Sequence, residues 1–347
     1  MKLKKIRRIG VLTGGGDCPG LNPTIRAITR KALKEKVTVI GIKNGWKGLI
    51  KRNTAILDRQ AVSGILPKGG TILGTSRTNP YKQEGDLAKL KKNIRALRLD
   101  MLIAIGGEDT LGVASKLYKE GVNVIGVPKT IDNDLSCTDF TFGFDTAVNI
   151  ATEAIDRLHT TAESHHRIMV VEIMGRHAGW ITTYAGIAGG ADIILIPEVP
   201  FDFNEVCEII KKRHKTGRDF SIVVVAEGAK FKNEKFILKT EKKDAFGHVI
   251  LGGIGQTLAA EIEKKTGFET RVTVLGHIQR GGTPSAFDRV LATRFGIKAV
   301  ELALEKDFGK MVALKGNKIV SVPLKAAVGK LKTVNKELYD IAKIFFG

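Results

Sequence analysis

Cysteine is scarce in this sequence: three residues in 347, at positions 18, 137 and 207. An odd, widely spaced trio makes neither a disulfide framework nor a zinc pattern. Cys18 stands in a glycine loop with no base beside it in sequence, so the thiols read as buried or bystander groups. No apolar run is long enough to span a bilayer. The start, Met1 to Arg8, is basic and leads directly into a β-like segment, with no apolar stretch of signal-peptide length. The expectation is a cytoplasmic protein with no membrane partner. Aromatic residues are only 6% of the chain, and no basic strand is studded with them. The net charge of +20 therefore reads as a lysine-rich solvated surface around an anion site, with no nucleic acid as partner. The Walker pattern G-x-x-x-x-G-K-[ST] is absent. A dinucleotide fingerprint on Gly14 and Gly16 fails because position 19 is proline.

What is present is alternation. Short Val/Ile/Leu runs end in glycine or polar loops and are followed by amphipathic, helix-length stretches. Ile9 to Leu12 runs into Thr13-Gly14-Gly15-Gly16-Asp17, then a helix near Asn22 to Lys34. Ile168 to Ile173 ends in Met174-Gly175-Arg176-His177. Ile193 to Ile196 ends at Pro197-Glu198, and Ile222 to Ala226 at Glu227. Val272 to Leu275 ends in Gly276-His277-Ile278-Gln279-Arg280. Thr283 is the expected cap of a final helix, with Pro284 at its first position, running to about Leu304. Lysine-rich Lys230 to Lys243 is expected to be a surface hairpin or loop. Near-continuous apolar strands imply sheets covered on both faces. The strands exceed one comfortable sheet, so the fold class is α/β, with two doubly wound, Rossmann-like domains.

Two acidic loops carry the chemistry. Gly106-Gly107-Glu108-Asp109-Thr110 follows the run Met101 to Ile105. Pro128-Lys129-Thr130-Ile131-Asp132-Asn133-Asp134 follows Val124 to Val127. A helix-length stretch, Leu111 to Glu120, separates them, so both loops leave the same carboxyl edge of a parallel sheet, where ligands of open α/β sheets bind. Adjacent acids after a buried strand are costly unless they meet solvent or a cation, and Mg²⁺ takes one or two carboxylates plus phosphate oxygens. In an extended loop Asp132 and Asp134 point the same way. An aspartate there can take a proton from a hydroxyl attacking phosphorus, while Lys129 offsets charge on a leaving phosphate. Glycines 14 to 16 open a helix and can admit an anion to its backbone amides. Arg77, Arg167, Arg176, Arg271 and Arg280 each lie at or beside a strand end, suited to phosphate.

Together these segments resemble the bacterial-type phosphofructokinases, in the family's order and over nearly the whole chain. The resemblance implies an active site in the cleft between the two domains. It implies residues 1–143 plus 279–329 as a donor (pyrophosphate and Mg) domain and 144–278 plus 330–347 as a sugar-phosphate domain. It implies a phosphotransferase that phosphorylates the 1-hydroxyl of fructose 6-phosphate. Asp132 matches the general base, Thr130 lies beside the transferred group, and Arg176 matches the residue that stabilises the transition state. Met174 and Gly175 line the sugar site, and Glu227, His277 and Arg280 are further sugar-phosphate contacts. Arg167 and Arg271 match arginines reaching a neighbouring subunit's site, which implies a homo-oligomer, dimer or tetramer, with shared sites. Gly15 and Arg77 match donor contacts, and Glu108 stands at the magnesium position, where an aspartate is usual. Asp109 and Lys129 stand where ATP-using relatives have glycine and resemble the pyrophosphate-dependent branch. An aspartate there fills the space of a nucleotide's α-phosphate and repels it. Pyrophosphate is thus the expected donor, in a reaction that runs both ways; ATP is the alternative.

Overall fold

The computed structural model describes residues 5–232 and 251–347, in two sheets. The larger holds Arg8–Thr13 (β1), Thr38–Ile42 (β2), Thr54–Leu57 (β3), Met101–Gly106 (β4), Val124–Pro128 (β5), Lys310–Lys315 (β10) and Lys318–Pro323 (β11), in the order β11-β10-β5-β4-β1-β2-β3. The smaller holds Ile168–Ile173 (β6), Ile193–Leu195 (β7), Ser221–Ala226 (β8) and Thr270–Val274 (β9), in the order β7-β8-β6-β9. The smaller sheet is parallel throughout. In the larger, only the edge strands β3 and β11 run antiparallel to their neighbours.

Every residue of β4, β5, β6 and β8 is buried. That follows from helices on both faces and explains why these strands read as unbroken apolar runs. The helix Leu21–Lys34 shows how the covering is built. Leu21, Ile25, Ile28 and Ala32 recur at helical spacing and are all fully buried. Lys31 and Lys34 sit in the last turn, complementing the helix dipole. This helix packs against Ala286–Glu305, and Gly296 permits the approach: a Cβ there would lie 2.8 Å from Ala27 Cβ and 2.9 Å from the Thr24 carbonyl oxygen. Gly296→Ala would force the two helices apart.

One apolar core runs through both sheets. Ile9, Val11, Ile103 and Ile125 of the larger sheet join Met169, Val171, Ile222 and Val224 of the smaller through Phe144, Ala147, Ala151 and Ile155 of the helix Phe144–His165. Burying each large aliphatic side chain contributes about 1.5–3 kcal/mol, so this shared core ties the two sheets together. In the larger sheet β1 lies between β2 and β4. The connections therefore diverge at its carboxyl end, a topological switch point.

The structure corrects several boundaries. Glu108 and Asp109 are not in a loop; they form the first turn of the helix Glu108–Lys119, with Gly107 as its extended cap residue. Acidic side chains are favoured there by the dipole. The last long helix starts at Ala286, not Pro284, and its cap is Ser285, not Thr283. Ser285 wins because Asp288 stands at the third position and donates its backbone N–H to Ser285 Oγ at 3.2 Å. Strand β9 starts two residues earlier than expected, and β7 ends one residue earlier. Most of the expected Lys230–Lys243 hairpin lies outside the described residues. Cys18 and Cys207 are buried and Cys137 partly so. Among the described residues no helix is long and apolar enough to cross a membrane.

Candidate active site

The loops after β1, β4 and β5 meet at the switch point. The Gly14 N–H donates to the Ile105 carbonyl at 2.9 Å, the Lys129 N–H to the Gly106 carbonyl at 3.0 Å, and the Gly15 N–H to the Ser76 carbonyl at 3.3 Å. A cavity opens here, lined by Gly15, Arg77, Glu108, Asp109, Lys129, Thr130, Asp132, Arg176 and Arg280 among the expected residues. Arg176 and Arg280 arrive from the carboxyl ends of β6 and β9, so both sheets build it.

Lys129 is buried, only 3% exposed, and its Nζ donates to the Gly16 carbonyl oxygen. Burial pulls its pKa below the usual lysine value; Cys18 opposes that, Arg280 adds to it, and Asp132 opposes it again. Gly16 lets Arg280 close in, since a Cβ there would collide with Arg280 Nη1. Asp132 is 5% exposed, and its Oδ1 has no hydrogen-bond partner among the described residues. Its backbone N–H donates to Thr130 Oγ1 at 3.0 Å, fixing the turn. Burial, then the charge of Asp132, holds the Asp134 carboxyl well above the usual carboxylate range. Arg176 sits in the left-handed region at φ 54, uncommon for a non-glycine residue and frequent at functional sites. Glu227, at the end of β8, pins that turn: its Oε1 accepts from the Arg176 N–H at 3.0 Å and the Gly175 N–H at 3.3 Å. Burial raises the pKa of Glu227, against those two bonds.

Met174, Gly175, Glu227 and His277 stand behind or beside the cavity rather than lining it. Glu227 bonds the backbone of the Arg176 turn, and His277 is exposed in the 3₁₀ turn Gly276–Arg280. Arg167 and Arg271 lie elsewhere, at the amino ends of β6 and β9, where both pair with Glu269; the Arg167 pair is 2.9 Å long. Gly16, Asp17, Gly107, Thr110 and Asp134 also line the cavity, outside the residues named for donor, sugar phosphate or metal. Asp134 carried a signal, the two-residue spacing from Asp132.

Among the described residues no three His, Cys, Asp or Glu side chains form a metal-holding group by themselves. That suits Mg²⁺, which keeps waters and takes only one or two protein carboxylates beside phosphate oxygens. Glu108 and Asp109 supply such donors, although Glu108 Oε1 also accepts from the Gly329 N–H at 3.1 Å.

Fold and cavity together define a doubly wound α/β protein whose cleft offers donors for anionic, metal-bound ligands. The chain belongs to the phosphofructokinase family, whose model matches residues 8–303. It is 59% identical over 342 residues to pyrophosphate--fructose 6-phosphate 1-phosphotransferase of Streptomyces coelicolor, covering 98% of this chain and 100% of that one. It is 52% identical over 342 residues to ATP-dependent 6-phosphofructokinase of Corynebacterium efficiens, covering 98% and 99%. Phosphofructokinase of Pichia pastoris, solved in the T-state, matches with a TM-score of 0.83 at 31% identity, covering 99% of this chain and 37% of that one.

Proposed function

We propose that this chain moves a phosphoryl group from pyrophosphate to the 1-hydroxyl of fructose 6-phosphate, giving fructose 1,6-bisphosphate and phosphate, in both directions. The observation that carries the reading is the buried Asp132 oxygen without a partner, in one cavity with Lys129, Arg176, Arg280 and the Glu108–Asp109 turn. A buried acceptor is costly when unsatisfied, by about 1–3 kcal/mol, and a substrate hydroxyl would satisfy it. Asp132 takes the hydroxyl proton as the sugar oxygen forms its bond to phosphorus. The bridging P–O bond breaks, and Lys129 offsets the charge on the departing phosphate. Arg176 stabilises the charge spread over the transferred group, held in the productive pose by Glu227. Gly15 and Arg77 hold the donor. Mg²⁺, held by Glu108 with donor oxygens, would neutralise donor charge when bound.

Asp109 and Lys129 set donor choice. The first excludes a third phosphate with its nucleoside, and the second replaces the anchoring that a nucleoside would give. The relative that shares 59% of this sequence is a pyrophosphate enzyme by name. Initial rates with pyrophosphate and with ATP, forward and in reverse, test the assignment; an enzyme faster with ATP would overturn it.

The same reading makes the protein a homo-oligomer with shared sites. Arg271, Val274, His277 and Ile278 are exposed together on edge strand β9 and the turn after it, with Val274 45% and Ile278 62% exposed. A second copy docked on this face would receive Arg167 and Arg271 at its sugar-phosphate end. On this basis residues 1–143 with 279–329 form the donor unit, and 144–278 with 330–347 the sugar unit. The two sheets, each made from strands inside one unit, support that division.

A further inference from the structure

The aspartate loop is held from behind by a single ammonium. Lys332 Nζ donates to Asn133 Oδ1 at 3.0 Å, the Thr138 carbonyl at 3.0 Å and the Asp139 carbonyl at 2.8 Å. An ammonium has three N–H donors, so each is used within one loop. The acceptor Asn133 lies between Asp132 and Asp134 and sits in the left-handed region at φ 52. The Asn133 amide also accepts from the Thr141 N–H at 3.1 Å and donates to the Asp139 carbonyl at 3.3 Å. The surrounding chain repeats the theme. The Lys332 N–H donates to the Asp134 carbonyl at 2.8 Å, Ser136 Oγ donates to the Lys330 carbonyl at 2.7 Å, and Leu331 bridges Leu135. Trp180, from the sugar side, donates its indole N–H to the Lys332 carbonyl at 2.9 Å and places its ring 5.2 Å from Nζ.

We infer that Lys332 is a positioning residue, whose three bonds hold the Asn133 turn and thereby aim the Asp132 carboxylate into the cavity. Its ammonium bonds to no residue that lines the cavity, so it acts through Asn133. The inference rests on Asp132 being the base of the proposed reaction. A bond to a left-handed asparagine has a clear purpose: without it the turn can relax, and a shift of about 1 Å at a reacting group can cost about 10²-fold in rate. The bonds need the protonated form. Burial lowers the Lys332 pKa to about 8, with Asp139 and Asp134 opposing and Lys315 adding.

Lys332→Met keeps the length of the side chain and removes the ammonium. Asn133→Gly keeps the backbone angle and removes the acceptor, and it serves if the first variant folds poorly. Each is expected to lower kcat about 10²-fold with KM for fructose 6-phosphate changed less than threefold, and the double variant to fall no further than the worse single one. A kcat within threefold of wild type, a loss carried by KM, or fully multiplying losses would overturn the inference. Hydrogen exchange over residues 129–142 reads the same contact without turnover: Lys332→Met should speed exchange there and leave Ile168–Ile173 unchanged, and unchanged exchange at 129–142 would count against it. If the wild type lacked pyrophosphate-driven turnover the base assignment would fail, while the exchange measurement would still decide whether Lys332 holds the loop.

Discussion

Asp132→Asn should make the protein a far worse catalyst and a more stable fold at once. The amide is nearly isosteric and keeps an acceptor but cannot take a proton. A positioned base contributes about 10²–10⁴-fold, so the barrier should rise by about 3–5 kcal/mol at 1.36 kcal/mol per tenfold. Stability is expected to move the other way. The wild-type carboxylate is 5% exposed, has an oxygen without a partner and is the largest charge opposing ionisation of Asp134. It also favours the charged form of Lys129, but there its effect ranks behind burial and the charges of Cys18 and Arg280. The same charge also opposes ionisation of the buried Glu227, so removing it relieves two carboxylates and weakens the hold on one ammonium. The sign with pH follows from Asp134. Its folded pKa is raised above its ordinary 3.8, so the folded state binds that proton more tightly, and the associated stability is lost as pH rises from about 4 through the raised value. Removing the Asp132 charge lessens that loss, so the gain over wild type should grow from pH 4 to pH 8. A gain of about 1 kcal/mol moves Tm by about 2 °C in a chain of this size. Thermal unfolding at both pH values, with steady-state rates, checks the argument. A kcat within tenfold of wild type, or a Tm that falls equally at both pH values, would refute it.

Asp109→Gly combined with Lys129→Gly should lower kcat/KM for pyrophosphate at least tenfold and shift the donor ratio toward ATP; an unchanged ratio would remove the specificity argument. Asp288, at the start of Ala286–Glu305, accepts from Thr146 N–H at 2.8 Å and Thr146 Oγ1 at 2.5 Å, yet burial pushes its pKa up to about 6 from 3.8. Its contribution is therefore lost as pH rises from about 4 through 6. Asp288→Asn should show a Tm difference from wild type that becomes more positive between pH 4 and pH 7, and a difference independent of pH would rule this out. Mixing inactive Asp132→Asn with inactive Arg271→Ala, after dissociation and reassembly, should restore measurable turnover if subunits share sites, and none if each chain works alone.

The sequence revealed what depends on neighbours in the chain. Strand-sized apolar runs gave the sheets because β4, β5, β6 and β8 are buried on both faces, and buried strands cannot alternate. The acidic segments were legible because each follows such a strand directly, and parallel strands carry their following residues to a common edge. Errors came where a local rule had two solutions. Thr283-Pro284 and Ser285 with Asp288 are both plausible helix starts, and the second is reinforced by a bond that sequence neighbours do not show: Thr146 Oγ1 accepts from the Ser285 N–H at 3.0 Å from 139 residues away. Glu108 and Asp109 looked like loop residues because glycines precede them, but Gly107 is extended and the helix begins at once.

Lys332 marks the limit of such reading. Nothing near it in sequence distinguishes it from the other lysines of a chain with a net charge of +20, and its acceptors lie from 193 to 199 residues away. Two of the three are backbone carbonyls, which carry no residue signature at all. A surface lysine would lose little by becoming methionine, since exposed ion pairs are worth at most about 1 kcal/mol. A half-buried one with all its donors used leaves three oxygens without a charged partner when removed, and hydrogen bonds to charged groups are worth about 1.5–3 kcal/mol each. Because those oxygens belong to the turn that carries Asp132, that loss would be spent on the geometry of the base. Lys332→Met should therefore lower global stability as well as turnover, and a Tm unchanged from wild type would show that these bonds carry little of the fold's stability.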